Sequence, residues 1–396
     1  MKILYLGFNV GYINPTRQLL LKALSDTAEV TTFGPGFVPS ALLEQGAAAF
    51  VDRLPSFDFV VTDEYVLQQF DERFPERIRF VNHACRFDRG LLIKAVEYRE
   101  FLRQTKIRRI VCLLQTDFYN VSNGFLATLE QVSDHIIAWG QELVAPSTTA
   151  SQSSSTEGVN GQILAKWQDN YLSFVRRHRD RVISLPHIIG NDEFVNRPLA
   201  SRPANWSVVG ADYTARVEAR KAIDAAGLTR SSKFLPRLFA VFERLHINPY
   251  AHYWSIRLLQ LLFRRALVQA RFSFTCGSIA RMAIRKFFEI PAAGAVLVAE
   301  PCYGSADLGF SDRTNFIACT GKDILEAHRW LEADPDRAQT IADAGRRMVR
   351  DHHSVAARAR QIGAALDLIL ADDFAGSEWQ NGTFVLRHPD GKETVA

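Results

Sequence analysis

Short, almost uninterrupted apolar runs recur along the first half of the chain. Each is followed by a stretch in which apolar residues return every three or four positions. The runs are "KILYLGF" (2–8), "EVTTFG" (29–34), "DFVVTD" (58–63), "RIRFVNH" (77–83), "RRIVCLLQTD" (108–117) and "DHIIAWG" (134–140). Runs of this length without inside–outside alternation predict strands buried on both faces. Stretches such as "NPTRQLLLKALSD" and "DRGLLIKAVEYREFLRQT" predict amphipathic helices covering them. The combination predicts a parallel, doubly wound α/β sheet, whose ligands lie beyond the carboxyl ends of the strands. Polar residues stand at those ends: Asn9 and Gly11 after the first run, His83 after the fourth, Asp117 after the fifth.

Residues 145–161, "APSTTASQSSSTEGVNG", hold too few apolar groups to order themselves and read as a mobile loop. The helix-and-strand pattern of "ILAKWQDNYLSFVRRHRDRVISLPHIIG" then completes a first unit over 1–189. The crossing to a second unit is therefore expected at "GNDEFVNRPLASRPAN", 190–205. Alternation resumes with "WSVVGADYTARVEARKAIDAAG", "QARFSFTCGS", "GAVLVAEP" and "TNFIACTGKDILEAHRWL", and two long helical stretches follow. Residues 234–268 read as mostly helical, which is unusual in the middle of such a unit. The expected architecture is α/β, two Rossmann-like domains facing across a cleft, the second spanning 206–373 with a tail over 374–396.

Composition narrows the class. A chain of 396 residues favours two domains. With 47% hydrophobic and 23% charged residues it is an ordinary globular chain, and no apolar run approaches the ~20 residues of a transmembrane helix. The net charge of +4 tolerates anionic ligands but falls far short of a nucleic-acid binder. Five scattered cysteines without a C-x-x-C pair, and an N-terminus that enters a strand directly, lead to the expectation of a reducing cytoplasm and no zinc site.

The stretch that carries chemistry is "TCGSIARMAIRKFFEIPAAGAVLVAEP", 275–301. Its first part predicts a strand, a flexible Gly277 and a helix capped by Ser278, with Arg281 and Arg285 on one face and Lys286 beside them. A helix N-terminus at a strand's carboxyl end attracts anions, pyrophosphate foremost. A capped surface helix with solvated arginines is the plain alternative. Pro291 is expected to end the helix close to Glu289, and Gly294 to turn the chain into the next strand. Glu289 would then face the cleft, where a carboxylate suits a ribose diol; pairing with a nearby arginine is the other reading.

From "KFFEIPAAGAVLVAE" through "LGFSDRTNFIACTGKDILEAHRWL" to "AGRRMVRDHHSVAARARQI", the chain resembles the C-terminal half of GT-B glycosyltransferases, in particular the glycosyltransferase-group-1, CgeB-like branch. The resemblance is specific over 277–362 and is one of architecture alone over the N-terminal half. It implies a donor domain in which Glu289 holds the ribose of a nucleotide-diphosphate sugar. Gly277 and Ser278 would approach the diphosphate, Lys286 would stand where the family usually has Arg, and Arg285 and Asn315 would complete the donor site. It further implies an acceptor side in the first domain, with Asn9 and Gly11 binding acceptor and His83 or Asp117 as the catalytic group. The implied activity is transfer of a sugar, with retention at the anomeric carbon, to a glycan, lipid-linked or other acceptor, without a metal or other cofactor. Two features depart from the pattern: the upstream position where retaining relatives often carry a second Glu is Arg281 or Met282, and the helical 234–268 replaces strand and loop. They keep two alternatives open, an inactive nucleotide-sugar-binding scaffold and a nucleotide-sugar epimerase.

"DPD" at 334–336 mimics a metal-binding Asp-x-Asp but falls between helices, and His352 and His353 would diverge by about 100° on a helix, so no metal site is expected. "HYWSIRLLQLLFRRALVQARF", 252–272, mixes aromatics, leucines and arginines. It is read as a core helix with snorkelling arginines, with peripheral contact at the inner face of a membrane as the alternative.

Overall fold

The computed structural model describes residues 1–9, 15–67, 89–113, 122–138, 167–210, 212–246, 253–278 and 281–396. The expected strand at 77–83 and the Ser-rich stretch 145–161 lie outside them. The predicted strands within them form two parallel sheets. The first contains β1 (Lys2–Leu6), β2 (Glu29–Phe33), β3 (Phe59–Asp63), β4 (Arg108–Cys112), β5 (His135–Ala138) and β6 (Val182–Ser184), in the order β2-β1-β3-β4-β5-β6. Leu4 stands between Thr31 on one side and Val60 on the other, so β1 lies second from one edge, and the strand order reverses between β1 and β3, the switch point. Ile3, Leu4, Leu6, Phe59, Val60 and Val61 are all fully buried, which is why these runs read as continuous rather than alternating.

The second sheet contains β7 (Ala204–Ser207), β8 (Ala270–Thr275), β9 (Val296–Ala299) and β10 (Ile317–Ala318), in the order β10-β9-β8-β7. Eight helices matter below. They are α1 (Thr16–Ser25), α2 (Arg89–Gln104), α3 (Thr214–Ala225), α4 (Phe234–Arg244), α5 (Tyr253–Gln269), α6 (Lys286–Ala292), α7 (Pro335–His353) and α8 (Val355–Leu370). Both long closing helices start on side-chain caps, and the first starts where "DPD" is read as lying between helices. Asp334 accepts the amide of Arg337 at 2.9 Å, and Ser354 accepts that of Ala357 at 3.2 Å.

Residues expected as a tail are structured. β11 (Ser377–Gln380), β12 (Thr383–Arg387) and β13 (Glu393–Val395) form an antiparallel sheet docked against the first unit. Ser184 on β6 donates its backbone N–H to Ser377 Oγ at 2.7 Å, and Trp379 Nε1 donates to the Ser184 carbonyl at 2.7 Å. Trp379 also stacks on His353 at 4.8 Å, at the end of α7. The chain thus crosses between units twice, and the two crossings touch. Ile189 N–H donates to the His353 carbonyl at 3.0 Å, and Val355 N–H donates to the Ile189 carbonyl at 3.1 Å.

Candidate functional site

The loops after β7, β8 and β9 lie at one edge of the second sheet. That edge faces the first unit: Met282, after β8, is buried within the first unit's hydrophobic core, and Tyr303, after β9, packs against the same core. Tyr303 N–H donates to the Arg281 carbonyl at 2.8 Å, and Met282 N–H donates to the Gly277 carbonyl at 2.9 Å. These backbone bonds fix the segment after β8 in an irregular path.

That path corrects one expectation. The helix does not open at Ser278; Ser278 and Arg281 have left-handed φ of 60° and 52°, and α6 begins only at Lys286. The capped helix end that was to cradle a diphosphate at Ser278 is therefore absent, and Arg281 and Arg285 do not share a helix face. Pairing of Met282 and Arg281 with the 303 loop competes with helix over this segment. Pro291 also does not end α6 at Glu289. It sits inside the helix, which continues to Ala292 and closes on Gly294, whose N–H reaches the Pro291 carbonyl at 2.8 Å. Gly294 has φ of +72°, and a Cβ there would stand 2.8 Å from the Val195 carbonyl and 2.7 Å from Arg202 Nη2. Only glycine fits both the turn and the approach of the inter-unit crossing.

α6 is buried on most of its surface. Phe287, Phe288 and Ile290 are each 0% exposed, contributing about 2–3 kcal/mol apiece by area. Phe288 lies 5.5 Å from Phe310 and 4.8 Å from His353. This anchorage positions the polar groups of the same helix. Glu289 is partnered: Oε1 accepts from Arg285 Nε at 2.7 Å and Oε2 from Lys286 Nζ at 3.3 Å. Burial pushes its carboxyl up, but Lys286 and Arg285 outweigh it and hold Glu289 down at about 2. Its side chain remains 21% exposed, and an ionised carboxylate has lone pairs beyond these two bonds.

Arg285 is a clamp between units. Besides Glu289 it donates to Glu193 Oε1 at 2.6 Å and to the Ile188 carbonyl, both in or next to the crossing. Glu193 in turn accepts the Gly190 N–H at 2.7 Å. Burial, with Glu289 nearby, raises the Glu193 carboxyl against the pull of Arg285.

A second cation joins Lys286. Gly210, after β7, has φ of +114°, and a Cβ there would lie 2.6 Å from Arg216 Nη1 and 3.2 Å from Lys286 Cε. The glycine is where the two side chains converge. Arg216, on α3, is 1% exposed and donates to Thr275 Oγ1 at 2.9 Å at the end of β8. Burial lowers its pKa, with Cys276 and Tyr213 opposing. Glu300, at the end of β9, is raised by burial against the attraction of Arg281 and Arg216. Arg281 stacks over Tyr303 at 5.3 Å. Arg216 and Glu300 were missed by sequence reasoning. "WSVVGADYTAR" showed the strand, glycine and helix, but one arginine of a surface-looking helix carries no mark of its inward direction.

The remaining expected residues separate. Asn315 is 8% exposed and spends its amide on its own loop, donating to the Gly309 carbonyl at 2.7 Å and accepting from Ser311 N–H at 2.9 Å. Asn9 follows β1 and donates its amide to the Gly36 carbonyl at 3.0 Å. Gly11, His83 and Asp117 lie outside the described residues. At the neighbouring strand end, Arg17 on α1 pairs with Asp63 at 3.2 Å and with Glu64 at 2.6 Å, all three buried. His187, 1% exposed, contacts Thr16 Oγ1 at 3.4 Å. Among the described residues no group of His, Cys, Asp and Glu is arranged to hold a metal ion. His353 is fully engaged, with Nε2 on the Leu308 carbonyl at 3.0 Å and Nδ1 on Arg358 at 2.8 Å.

Residues 197–364 match a family model described as glycosyl transferase-like. No curated protein matches the sequence. Three solved structures share the architecture over nearly their whole length. HepE from Anabaena, in complex with UDP and glucose, is 12% identical, with 93% of this chain and 99% of that chain covered at a TM-score of 0.52. Sucrose-phosphate synthase from Thermosynechococcus elongatus is 11% identical, with 94% and 100% covered at 0.51. A glycosyltransferase from Rickettsia africae is 8% identical, with 93% and 98% covered at 0.53. The two parallel sheets are those of the GT-B fold, and the stretch that matches the glycosyl transferase-like model runs from the crossing through the second unit.

Proposed function

We propose that this GT-B glycosyltransferase takes its sugar from a nucleotide-diphosphate sugar bound at the carboxyl ends of β7, β8 and β9, uridine diphosphate being the first nucleotide to test. The observation that carries the reading is the convergence of Arg216 and Lys286 on Gly210, beside an ionised, part-exposed Glu289. Two cations against a backbone without a Cβ suit a diphosphate, and they would carry the charge that develops on it as the sugar departs. Glu289 would use its remaining lone pairs for the ribose hydroxyls. The UDP and glucose present in the HepE structure support this class of donor.

Gly277, Ser278 and Arg281 would line the phosphates as a loop rather than as a helix end, and Arg285 would hold Glu289 and the crossing in place. The acceptor, a glycan or lipid-linked molecule, would enter from the first unit, where Asn9, Gly11, His83 and Asp117 are the candidates. The glycosyl transferase-like match favours transfer over the scaffold and epimerase alternatives. Retention at the anomeric carbon and independence of metal follow from the family resemblance. They are checked by the anomeric coupling of the product and by activity in chelator.

Calorimetric titration with UDP, GDP, ADP, dTDP and CMP tests the donor site. One nucleotide should bind selectively. Lys286→Ala should weaken it at least tenfold, about 1.4 kcal/mol, and Glu289→Ala by about 2–4 kcal/mol, with thermal melts recording that both variants fold. Absence of binding by the wild type at millimolar nucleotide would defeat the reading.

A further inference from the structure

Among the described residues, eight large hydrophobic side chains are exposed, and six of them fall on or at the end of two consecutive helices. α4 and the turn after it expose Phe234 (55%), Val241 (50%) and Leu245 (59%); α5 exposes Trp254 (58%), Leu258 (37%) and Leu261 (64%). The spacing is that of one face on each helix. The opposite faces are core: Leu235 and Phe242 on α4, and Ile256, Leu259, Ala266 and Leu267 on α5, are buried. The reading of 252–272 as a core helix therefore holds for half of its surface only.

Exposed arginines interleave with the apolar groups, Arg237 and Arg244 on α4 and Arg257 and Arg265 on α5, while Arg264, also exposed, turns to Asp192 in the crossing. The whole segment 234–269 contains a single acidic residue, Glu243, against these five arginines. A water-facing surface of Trp, Phe, Leu and Val without a carboxylate rim is unfavourable in a free monomer and marks an interaction site. The charge names the partner. Arginine guanidiniums bind phosphate in two-point fashion, and the apolar groups between them reach the depth of the headgroup–acyl boundary. No described helix is long and apolar enough to cross a membrane, so contact would lie along the surface.

We infer that the α4–α5 face docks on a bilayer rich in anionic phospholipid. The other side of α5 borders the proposed donor site: Lys286 Nζ lies 5.1 Å from the Phe263 ring centre, and Arg264 reaches Asp192 in the crossing at 3.4 Å. Docking would hold the cleft at the membrane surface, where a lipid-linked acceptor is presented. That last step rests on the donor-site reading; the docking itself does not.

Flotation of the full chain with vesicles tests it. The protein should float with vesicles containing phosphatidylglycerol and remain behind with phosphatidylcholine alone. The triple variant Val241→Gln, Trp254→Ser, Leu261→Gln should lose at least tenfold in partitioning. Arg237→Gln with Arg265→Gln should lose the preference for anionic lipid. Both variants should bind nucleotide as the wild type does, which separates failure of docking from failure of the donor site. Equal flotation of wild type and triple variant, or no flotation of either, overturns the inference. So does a wild-type dimer in light scattering that the triple variant reduces to a monomer, since a second copy would then be the occupant.

Discussion

At the residue scale, the chain keeps several titratable groups in one state by burial. His187 is held down at about 3 by burial and then by Arg285, and His353 lies well below the usual histidine range through burial and Arg358. Both are 1% exposed or less. In the unfolded chain each titrates near pH 6.5. Below that pH the unfolded state binds more protons than the folded one, so stability falls as pH falls. At pH 5 each such histidine removes about 2 kcal/mol. Glu193, raised by burial, acts in the opposite sense and offsets part of this. The melting temperature should therefore drop between pH 7.5 and pH 5, and His187→Gln should flatten the drop; a wild-type melt independent of pH over that window would show that these rings are not buried neutral. Glu289 contributes little here, since the stability it gives is lost only as pH falls from the ordinary glutamate value of about 4.3 toward its folded value of about 2.

At the element scale, α6 shows how one short helix serves core and site together. Its phenylalanines anchor it, its acidic and basic residues face outward from that anchor, and Gly294 closes it against the crossing. Gly294→Ala should cost about 2–4 kcal/mol, from the left-handed φ and from collision with the Val195 carbonyl, read as a shift in a denaturant melt. A loss under 1 kcal/mol would mean that the crossing moves aside freely. Strands were legible in the sequence because burial on both faces leaves a continuous apolar run, as in "DFVVTD" and "GAVLVAEP". The helix start at "DPD" and the Gly294 turn were legible because each depends on a few adjacent residues, whereas the Ser354 cap was not singled out. The late start of α6 was not legible, because it is decided in part by a backbone bond from distant Tyr303, whose N–H donates to the Arg281 carbonyl. The convergence of Arg216 with Lys286 was hidden for the same reason: it joins residues of two helices, α3 and α6, far apart in the chain.

At the scale of the whole molecule, the last residues belong to the first unit's surroundings. β11 is hydrogen-bonded to β6, α8 packs on α1, and Thr27 Oγ1 donates to the Ala359 carbonyl at 2.8 Å. A chain ending at Asp373 would lose Trp379, Phe384 and Leu386, each at most 5% exposed. It should be destabilised by about 5 kcal/mol or more, seen as a large fall in melting temperature or as insolubility. An unchanged melt would show that the small sheet is an ornament. The paired contact of Ile189 with His353 and Val355 carries a different lesson, one of kinematics. Two covalent crossings riveted to one another at a single spot leave the halves of the molecule few degrees of freedom. Sliding or separating them would break the rivet, whereas swinging about it would not, so any change in the width of the cleft is expected as a rotation about an axis through Ile189.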